Sequence, residues 1–356
     1  MKKSGIIAAV LLLAVGAICV FSGRWPIGKP HEVSGENFRL GTYVKLRLLG
    51  EDKNFLEGEL AAMDGEIVRL EGLFSVNIAS SDISRLNGAG GEWVKVAPET
   101  AALVKRSLAI AALTDGAFDP AIGRIVRLWG IGTPGARVPK PAEIRAALRS
   151  KGYKEVTVRE NGGECYIKTP PGLWLDLGAI AKGRVADILK EMLAANGVKR
   201  AVIDLGGNLD LVGDSPEGRP WRLGLQHPHK PRGEYFGVVE VSDRSVVTSG
   251  PYERFFEQDG VRYHHIFDPA TGYPAKSDFD SVSIIDRDSA LADALCTALF
   301  VMGRVKAEKF LEKNGGLAAV FVLASEDKVL VTPEAWKIFR LTDKNFTVDT
   351  IGGESP

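Results

Sequence analysis

Trp174-Leu175-Asp176-Leu177-Gly178-Ala179-Ile180-Ala181-Lys182-Gly183 is the stretch on which the fold class depends. Trp174 to Gly178 has the pattern of a strand entering a glycine turn, and Ala181 to Asn196 spaces its apolar residues as a helix that Gly197 ends. Strand, turn and helix in that order also open a dinucleotide-binding unit, but no Gly-x-Gly-x-x-Gly follows the first strand of the chain. Upstream, Phe38 to Leu49 is strand-like, Phe55 to Leu70 and Pro98 to Leu113 have helical spacing, and Asp82 to Asn87 reads as a turn. A helix around Pro141 to Ser150 and strands at Thr157 to Val158 and Cys165 to Lys168 come next. Downstream, strands are expected at Ala201 to Asp204, Trp221 to Leu225, Gly237 to Val241, Ser245 to Thr248 and Ser281 to Ile285. Helices from Ser289 to Met302 and Val305 to Asn314 precede a hairpin over Ala318 to Thr332. Strands and helices mix without regular alternation, which predicts an α+β fold of mixed sheets with packed helices rather than a doubly wound sheet.

A chain of 356 residues, 45% of them hydrophobic, is long enough to bury a large core. Its 45 basic and 45 acidic residues cancel and are scattered, which argues against nucleic acid as a partner. Lys2 and Lys3 precede an apolar run from Ile6 to Phe21 that Arg24 closes, the layout of an export signal or short anchor. The expected organisation is therefore a signal peptide or membrane anchor over 1–23, a polar linker over 24–36 and one catalytic domain over 37–345, exported to the periplasmic side of the inner membrane or the cell surface. Cys19 adds lipid attachment as an alternative to cleavage or retention. Cys165 and Cys296 fall in a strand-like and a helical pattern and are expected as buried free thiols, without the spacing of a zinc site.

The chemistry concentrates in three places. Tyr263-His264-His265-Ile266-Phe267-Asp268-Pro269-Ala270-Thr271-Gly272-Tyr273-Pro274 places two histidines side by side ahead of a turn. On a strand they point to opposite faces, so one at most reaches a reacting group while the other serves the scaffold. Asp293 and Thr297 lie four apart on a helix whose other residues are small or apolar. That spacing puts a carboxylate and a hydroxyl on one face, and a carboxylate so placed needs a partner such as a hard cation. In Asp176 to Gly183 the turn amides, the helix start and Lys182 make an anion site, and Gly206-Gly207-Asn208 and Thr248-Ser249-Gly250 add two more close-backbone turns. Three such turns suggest a cradle for a polyanion.

The ordered set resembles the ApbE-like family of FAD:protein FMN transferases. It comprises Gly41-Thr42-Tyr43, Phe74-Ser75 with Ser84-Arg85-Leu86-Asn87, Gly116-Ala117-Phe118-Asp119-Pro120 with Leu128-Trp129-Gly130, Asp176 to Gly183, Asp204 to Asn208, Trp221, Thr248-Ser249-Gly250 with Tyr252, the histidine block, and Asp293 to Thr297. The resemblance implies the ApbE-like fold, FAD as substrate and a Mg²⁺ ion held by the Ala179 carbonyl, the Asp293 carboxylate and the Thr297 hydroxyl. It also implies FAD contacts at Leu40, Ala117, Phe118, Asp119, Asp176, Lys182 and Phe267. Where the family often has a tyrosine after Phe-Ser this chain has Asn77, so an aromatic wall of the FAD site is expected to be missing.

The implied reaction transfers FMN from FAD to a threonine hydroxyl of an acceptor flavoprotein, with AMP leaving. His265, ahead of His264, is the expected base. Phe118, Trp129, Tyr252, Phe267 and Tyr273 are expected to keep water out. The implied partner is a subunit of a membrane redox complex carrying a Ser/Thr-Gly-Ala-Ser/Thr type of stretch. Two alternatives stand beside this reading: a Mg²⁺-dependent FAD pyrophosphatase giving FMN and AMP, and an exported protein that binds FAD without cutting it.

Overall fold

The computed structural model describes residues 30–148 and 152–352. Nine strands form the main sheet: β1 (His31–Arg39), β2 (Thr42–Gly50), β3 (Arg200–Leu205), β4 (Asn208–Val212), β5 (Ser245–Ser249), β6 (Phe279–Asp286), β7 (Ala318–Leu323), β8 (Lys328–Val331) and β9 (Thr347–Thr350). In space they lie in chain order. Every neighbouring pair is antiparallel except β8 and β9. Antiparallel neighbours need only a turn between them. The long connections are therefore excursions that leave the sheet and return beside the strand they left.

The excursion from β2 to β3 carries the helices α1 (Lys53–Phe74), α2 (Pro98–Leu113) and α3 (Ala181–Ala195). The one from β6 to β7 carries α4 (Ser289–Lys313). These four cover one face of the sheet, and a small sheet of Trp221–Gln226, Tyr235–Val241 and Phe339–Leu341 covers part of the other. β7 shows why its sequence is an unbroken apolar run: Ala319, Phe321 and Leu323 enter the helix-side core, while Val320 and Val322 enter the opposite one. Burial of each such large side chain is worth about 1.5–3 kcal/mol.

Asp52 caps α1 by accepting from Phe55 N at 3.1 Å, and Asp288 caps α4 by accepting from Leu291 N at 2.9 Å. The starts of α3 and α4 meet at Gly183. A Cβ there would overlap the carbonyl of Ser289 and the Cα of Ala290, so only glycine allows the two backbones to touch. Asp187 of α3 then accepts from Ser289 N at 2.9 Å and Ala290 N at 3.1 Å, occupying two free amides of the α4 start.

Several expectations are corrected. Phe38 to Leu49 is not one strand but the end of β1, a turn and β2, with Leu40 (φ 52) and Gly41 (φ 68) in the left-handed region. β1 starts at His31, inside the segment expected as linker, and β9 lies beyond residue 345. β1 escapes a hydrophobic-pattern reading because its outward side chains are charged; Glu36 pairs with Lys45 at 2.6 Å and Glu32 with Arg47 at 2.8 Å across the hairpin.

Trp174 to Gly178 is extended but is no strand, since Trp174 makes a single bridge, to Ile122. An asparagine replaces the neighbouring strand: Asn87 Oδ1 accepts from Leu175 N at 2.7 Å and its Nδ2 donates to Leu175 O at 2.8 Å. Asp82–Gly88 is a short helix rather than a turn. The break expected between the last two helices is present: Gly303 (φ 65, ψ 175) is non-helical and divides Ser289–Lys313, named α4 as a whole, into two helical segments. Ser150 and the whole of 1–29, with the export signal and Cys19, lie outside the described residues. Among the described residues no helix is long and apolar enough to cross a membrane. Cys165 and Cys296 are buried and free.

Candidate active site

A cleft of about 280 Å³ opens where β3 ends, β4 begins and β5 ends. Gly206, Gly207 and Asn208 line it from the sheet, with Val247, Thr248 and Ser249 beside them. Gly206 (φ 70) lies against Thr42, and a side chain there would overlap the Thr42 hydroxyl. The turn from Gly178 to Lys182, Asp293 and Thr297 of α4, Ala117 to Asp119, and the segments Glu253–Arg254 and His265–Phe267 complete the walls.

The helix wall holds charge in a nearly enclosed place. Asp293 is 3% exposed. Lys182 Nζ lies 3.0 and 3.1 Å from its two oxygens, and Gly183 N donates to Oδ2 at 3.1 Å. A buried carboxylate is tolerated because it is paired and hydrogen-bonded. Beneath it, Ser289 Oγ donates to Asp210 Oδ2 at 2.7 Å, and Lys190 Nζ pairs with the same carboxylate at 2.7 Å. Asp210 is fully buried, so this pair fixes the α4 start from below as Asp187 does from the side.

The histidines divide as strand alternation demands. His264 faces inward: its Nε2 meets Ala275 O at 3.1 Å and its Nδ1 accepts from Ile266 N at 3.3 Å. Both ring nitrogens are engaged, and the ring stands edge-on to Phe300 at 5.7 Å. His264 does not line the cleft, which removes it from the candidate bases. His265 does line it. Its Nδ1 lies 3.2 Å from the carbonyl of Arg254, and a carbonyl oxygen can only accept. Nδ1 therefore carries the proton and Nε2 keeps a lone pair. Burial, reinforced by the charge of Arg254, pushes the His265 pKa down to about 3. The imidazole is neutral across the physiological range rather than titrating near neutrality, as a free imidazole does.

Asp119 accepts from Ala121 N at 2.8 Å and Tyr153 N at 3.2 Å, and burial raises its pKa to about 6. Asp176 accepts from Gly178 N at 2.7 Å and is also raised by burial. The loop after His265 is closed by Asp268, whose carbonyl accepts from Gly272 N at 2.8 Å, and by Trp129, whose Nε1 donates to Gly272 O at 2.9 Å. Trp129 is fully buried behind Phe267, with ring centroids 5.9 Å apart.

The cleft thus brings together Ala117, Phe118, Asp119, Asp176, Ala179, Lys182, His265, Phe267, Asp293 and Thr297. Leu40 and Asn77 are not among its lining residues. Leu40 sits in the β1–β2 turn with its N–H donated to Glu71 at 3.0 Å, and Asn77 is exposed on another loop with its N–H on Ser75 Oγ. Of the five aromatics expected to dry the site, Phe118 and Phe267 line it, while Trp129, Tyr252 and Tyr273 do not. Sequence reasoning missed Arg232 and Arg254, both in the lining. Arg232 follows Lys230-Pro231 in a loop and Arg254 lies between Glu253 and Phe255, and neither has a spacing to mark it.

Ala179, Asp293 and Thr297 offer oxygens of three kinds to one cleft: a carbonyl, a carboxylate and a hydroxyl. That donor chemistry suits a hard cation, which would complete its shell from a phosphate-bearing substrate. Among the described residues, no group of three or more His, Cys, Asp or Glu side chains is placed to hold a metal ion by itself.

The profile of the ApbE family matches residues 40–321. The chain is 37% identical over 297 residues to the FAD:protein FMN transferase of Klebsiella pneumoniae (strain 342), covering 83% of this chain and 90% of that protein. It is 38% identical over 325 residues to the FAD:protein FMN transferase of Treponema pallidum (strain Nichols), covering 86% of this chain and 89% of that one. The crystal structure of the ApbE protein from Thermotoga maritima superposes with a TM-score of 0.75 at 35% identity, over 82% of this chain and 94% of its own. The flavin transferase ApbE from Vibrio cholerae does so with a TM-score of 0.75 at 28% identity, over 87% and 99%.

Proposed function

We propose, from the premise that this chain belongs to the ApbE family, that it is an FAD:protein FMN transferase moving flavin mononucleotide from FAD to a hydroxyl of another protein. The observation that carries the reading is His265, held as the Nδ1–H tautomer by Arg254 O, in the same cleft as Lys182, Asp293 and Thr297.

In this reading a threonine hydroxyl of the acceptor enters beside His265. Its oxygen forms a bond to the FMN-side phosphorus as the bond from that phosphorus to the bridging oxygen breaks, and AMP leaves with that oxygen. The threonine proton passes to Nε2 of His265. Burial keeps the Nε2 lone pair of His265 free at neutral pH and also weakens it as a base, so proton acceptance has to be helped by the charge that develops on the phosphate in the same cleft. Lys182 supplies a point charge toward the diphosphate, and Gly178, Gly206 and Gly207 line the cleft without side chains that would bar its approach. Phe118 and Phe267 make the cleft less hospitable to water, which favours a docked hydroxyl over hydrolysis. When bound by Ala179 O, Asp293 and Thr297, Mg²⁺ would add positive charge against the phosphate oxygens.

We assign the acceptor to a flavoprotein subunit of a membrane redox complex with a Ser/Thr-Gly-Ala-Ser/Thr type of stretch, met on the exported side of the membrane. Incubating the protein with FAD, Mg²⁺ and a polypeptide bearing that stretch should raise the polypeptide's mass by one FMN and release AMP. Excess EDTA should stop both. AMP formed equally fast without the polypeptide, with no mass gain when it is present, would replace the transferase with a pyrophosphatase.

A further inference from the structure

Three cationic side chains line the cleft: Lys182, Arg232 and Arg254. Two already face a carboxylate. Lys182 pairs with Asp293 at 3.0 Å, and Arg232 with Glu253 at 3.0 Å. Arg254 has no carboxylate within ion-pair distance among the described residues; its guanidinium makes one long hydrogen bond there, Nη2 to the Gly41 carbonyl at 3.4 Å. Most of its five donors remain open, and the side chain is exposed. Its position is not incidental, because its own main-chain carbonyl holds both His265 N at 3.1 Å and His265 Nδ1 at 3.2 Å. The positive charges of Arg254 and Lys182 both reach the His265 ring, and that of Arg254 also reaches Asp176.

We propose that Arg254 is a substrate-binding residue whose open guanidinium takes two oxygens of the FAD diphosphate side by side, next to His265. This deepens the transferase reading and rests on it. A planar fork matches the geometry of two phosphate oxygens in a way an ammonium does not. Lys182 must be shared with Asp293, so the guanidinium is the cleft's uncommitted cation. One residue then serves the reaction twice: its main chain orients the base and its side chain holds the phosphorus group that the base's nucleophile attacks. Replacing the side chain leaves the carbonyl in place, so the two roles separate experimentally.

The test is fluorescence titration of the unaltered protein, Arg254→Ala and Arg254→Lys with FAD and with riboflavin, which lacks phosphate, first in EDTA and then in Mg²⁺. Arg254→Ala should weaken FAD about tenfold or more, the usual consequence of losing a charge-assisted pair, and leave riboflavin unchanged. Arg254→Lys should recover only part of the loss, and FAD binding should fall less steeply with salt in the alanine variant. Unchanged FAD affinity in both variants overturns the assignment alone. Equal losses for FAD and riboflavin overturn it too, since the side chain would then act by tying down the β1–β2 turn through Gly41. Failure of the unaltered protein to bind FAD would overturn the transferase reading itself.

Discussion

The two walls that carry the cleft's chemistry are held by opposite means. The helix wall, Lys182 and Asp293, belongs to the deepest part of the molecule, where α3 and α4 touch at Gly183 and the buried Asp187, Asp210 and Ser289 lock the α4 start. The arm wall, Arg254 and His265, flanks a hairpin of Phe255–Gln258 and Val261–His264 whose strands pair only with each other. Trp129 and the Asp268 turn hold its base. Desolvated charge requires rigid surroundings, because a partner that drifts leaves a buried ion alone. A wall that meets an incoming polypeptide has to remain at the surface. The contrast predicts that damage to the helix wall reaches both fold and chemistry, whereas damage to the arm wall reaches chemistry first.

Asp293→Ala is the hardest blow. It leaves the Lys182 ammonium and Gly183 N–H without their acceptor and removes the only carboxylate of the proposed cation site. AMP release should fall below detection, and urea melts should show a stability loss of about 1–3 kcal/mol. A variant with normal stability but no activity would weaken the contrast. A variant with normal activity would end the metal assignment.

His265→Ala should slow flavin transfer by about 10²–10⁴-fold with FAD affinity little changed and the melting curve close to that of the unaltered protein. Its neighbour sharpens the contrast. His264→Ala strips partners from Ala275 O and Ile266 N, so it should cost about 1–3 kcal/mol of stability and a smaller share of the rate. If the larger rate loss falls on His264→Ala, the division of roles between the two rings is wrong.

Gly183→Ala tests the helix contact without touching a charge. Its methyl group would force α3 and α4 apart, and a loss of about 1–3 kcal/mol in melts is expected, with weaker FAD binding as Lys182 and Asp293 separate. An unchanged melt would show that the helices do not meet as described.

A further effect is one of pH. The His265 pKa lies near 3 in the folded protein and near ~6.5 in the unfolded chain, so between those values the unfolded state binds the extra proton. The contribution of His265 to stability is thus complete above about pH 6.5 and is lost as pH falls toward 3. Urea melts between pH 7 and pH 4 should therefore show a shallower pH dependence for His265→Ala than for the unaltered protein. Parallel curves would place the ring in water instead.

Periodicity made some of this readable. Four-residue spacing put Asp293 and Thr297 on one helix face, and both reach the cleft. Alternation required His264 and His265 to diverge, and they do. What replaced periodicity was illegible. Asn87 stands in for a strand beside Leu175 through a side chain 88 residues away, and β1 hides behind its charged outer face. The Lys182–Asp293 pair joins two helices 111 residues apart, and no local pattern announces it. Arg254 had no signal at all, since its importance comes from the partner it lacks.

Because the nine strands lie in chain order, the excursion from β5 to β6 departs and returns at adjacent places. It therefore behaves as a cassette. The tip of its hairpin, around Asp259 and Gly260, could be lengthened, shortened or exchanged while the sheet's register and the helix wall stay as they are. Relatives that modify different polypeptides would then be expected to differ in this cassette more than anywhere else around the cleft, and transplanting it should carry acceptor preference from one scaffold to another.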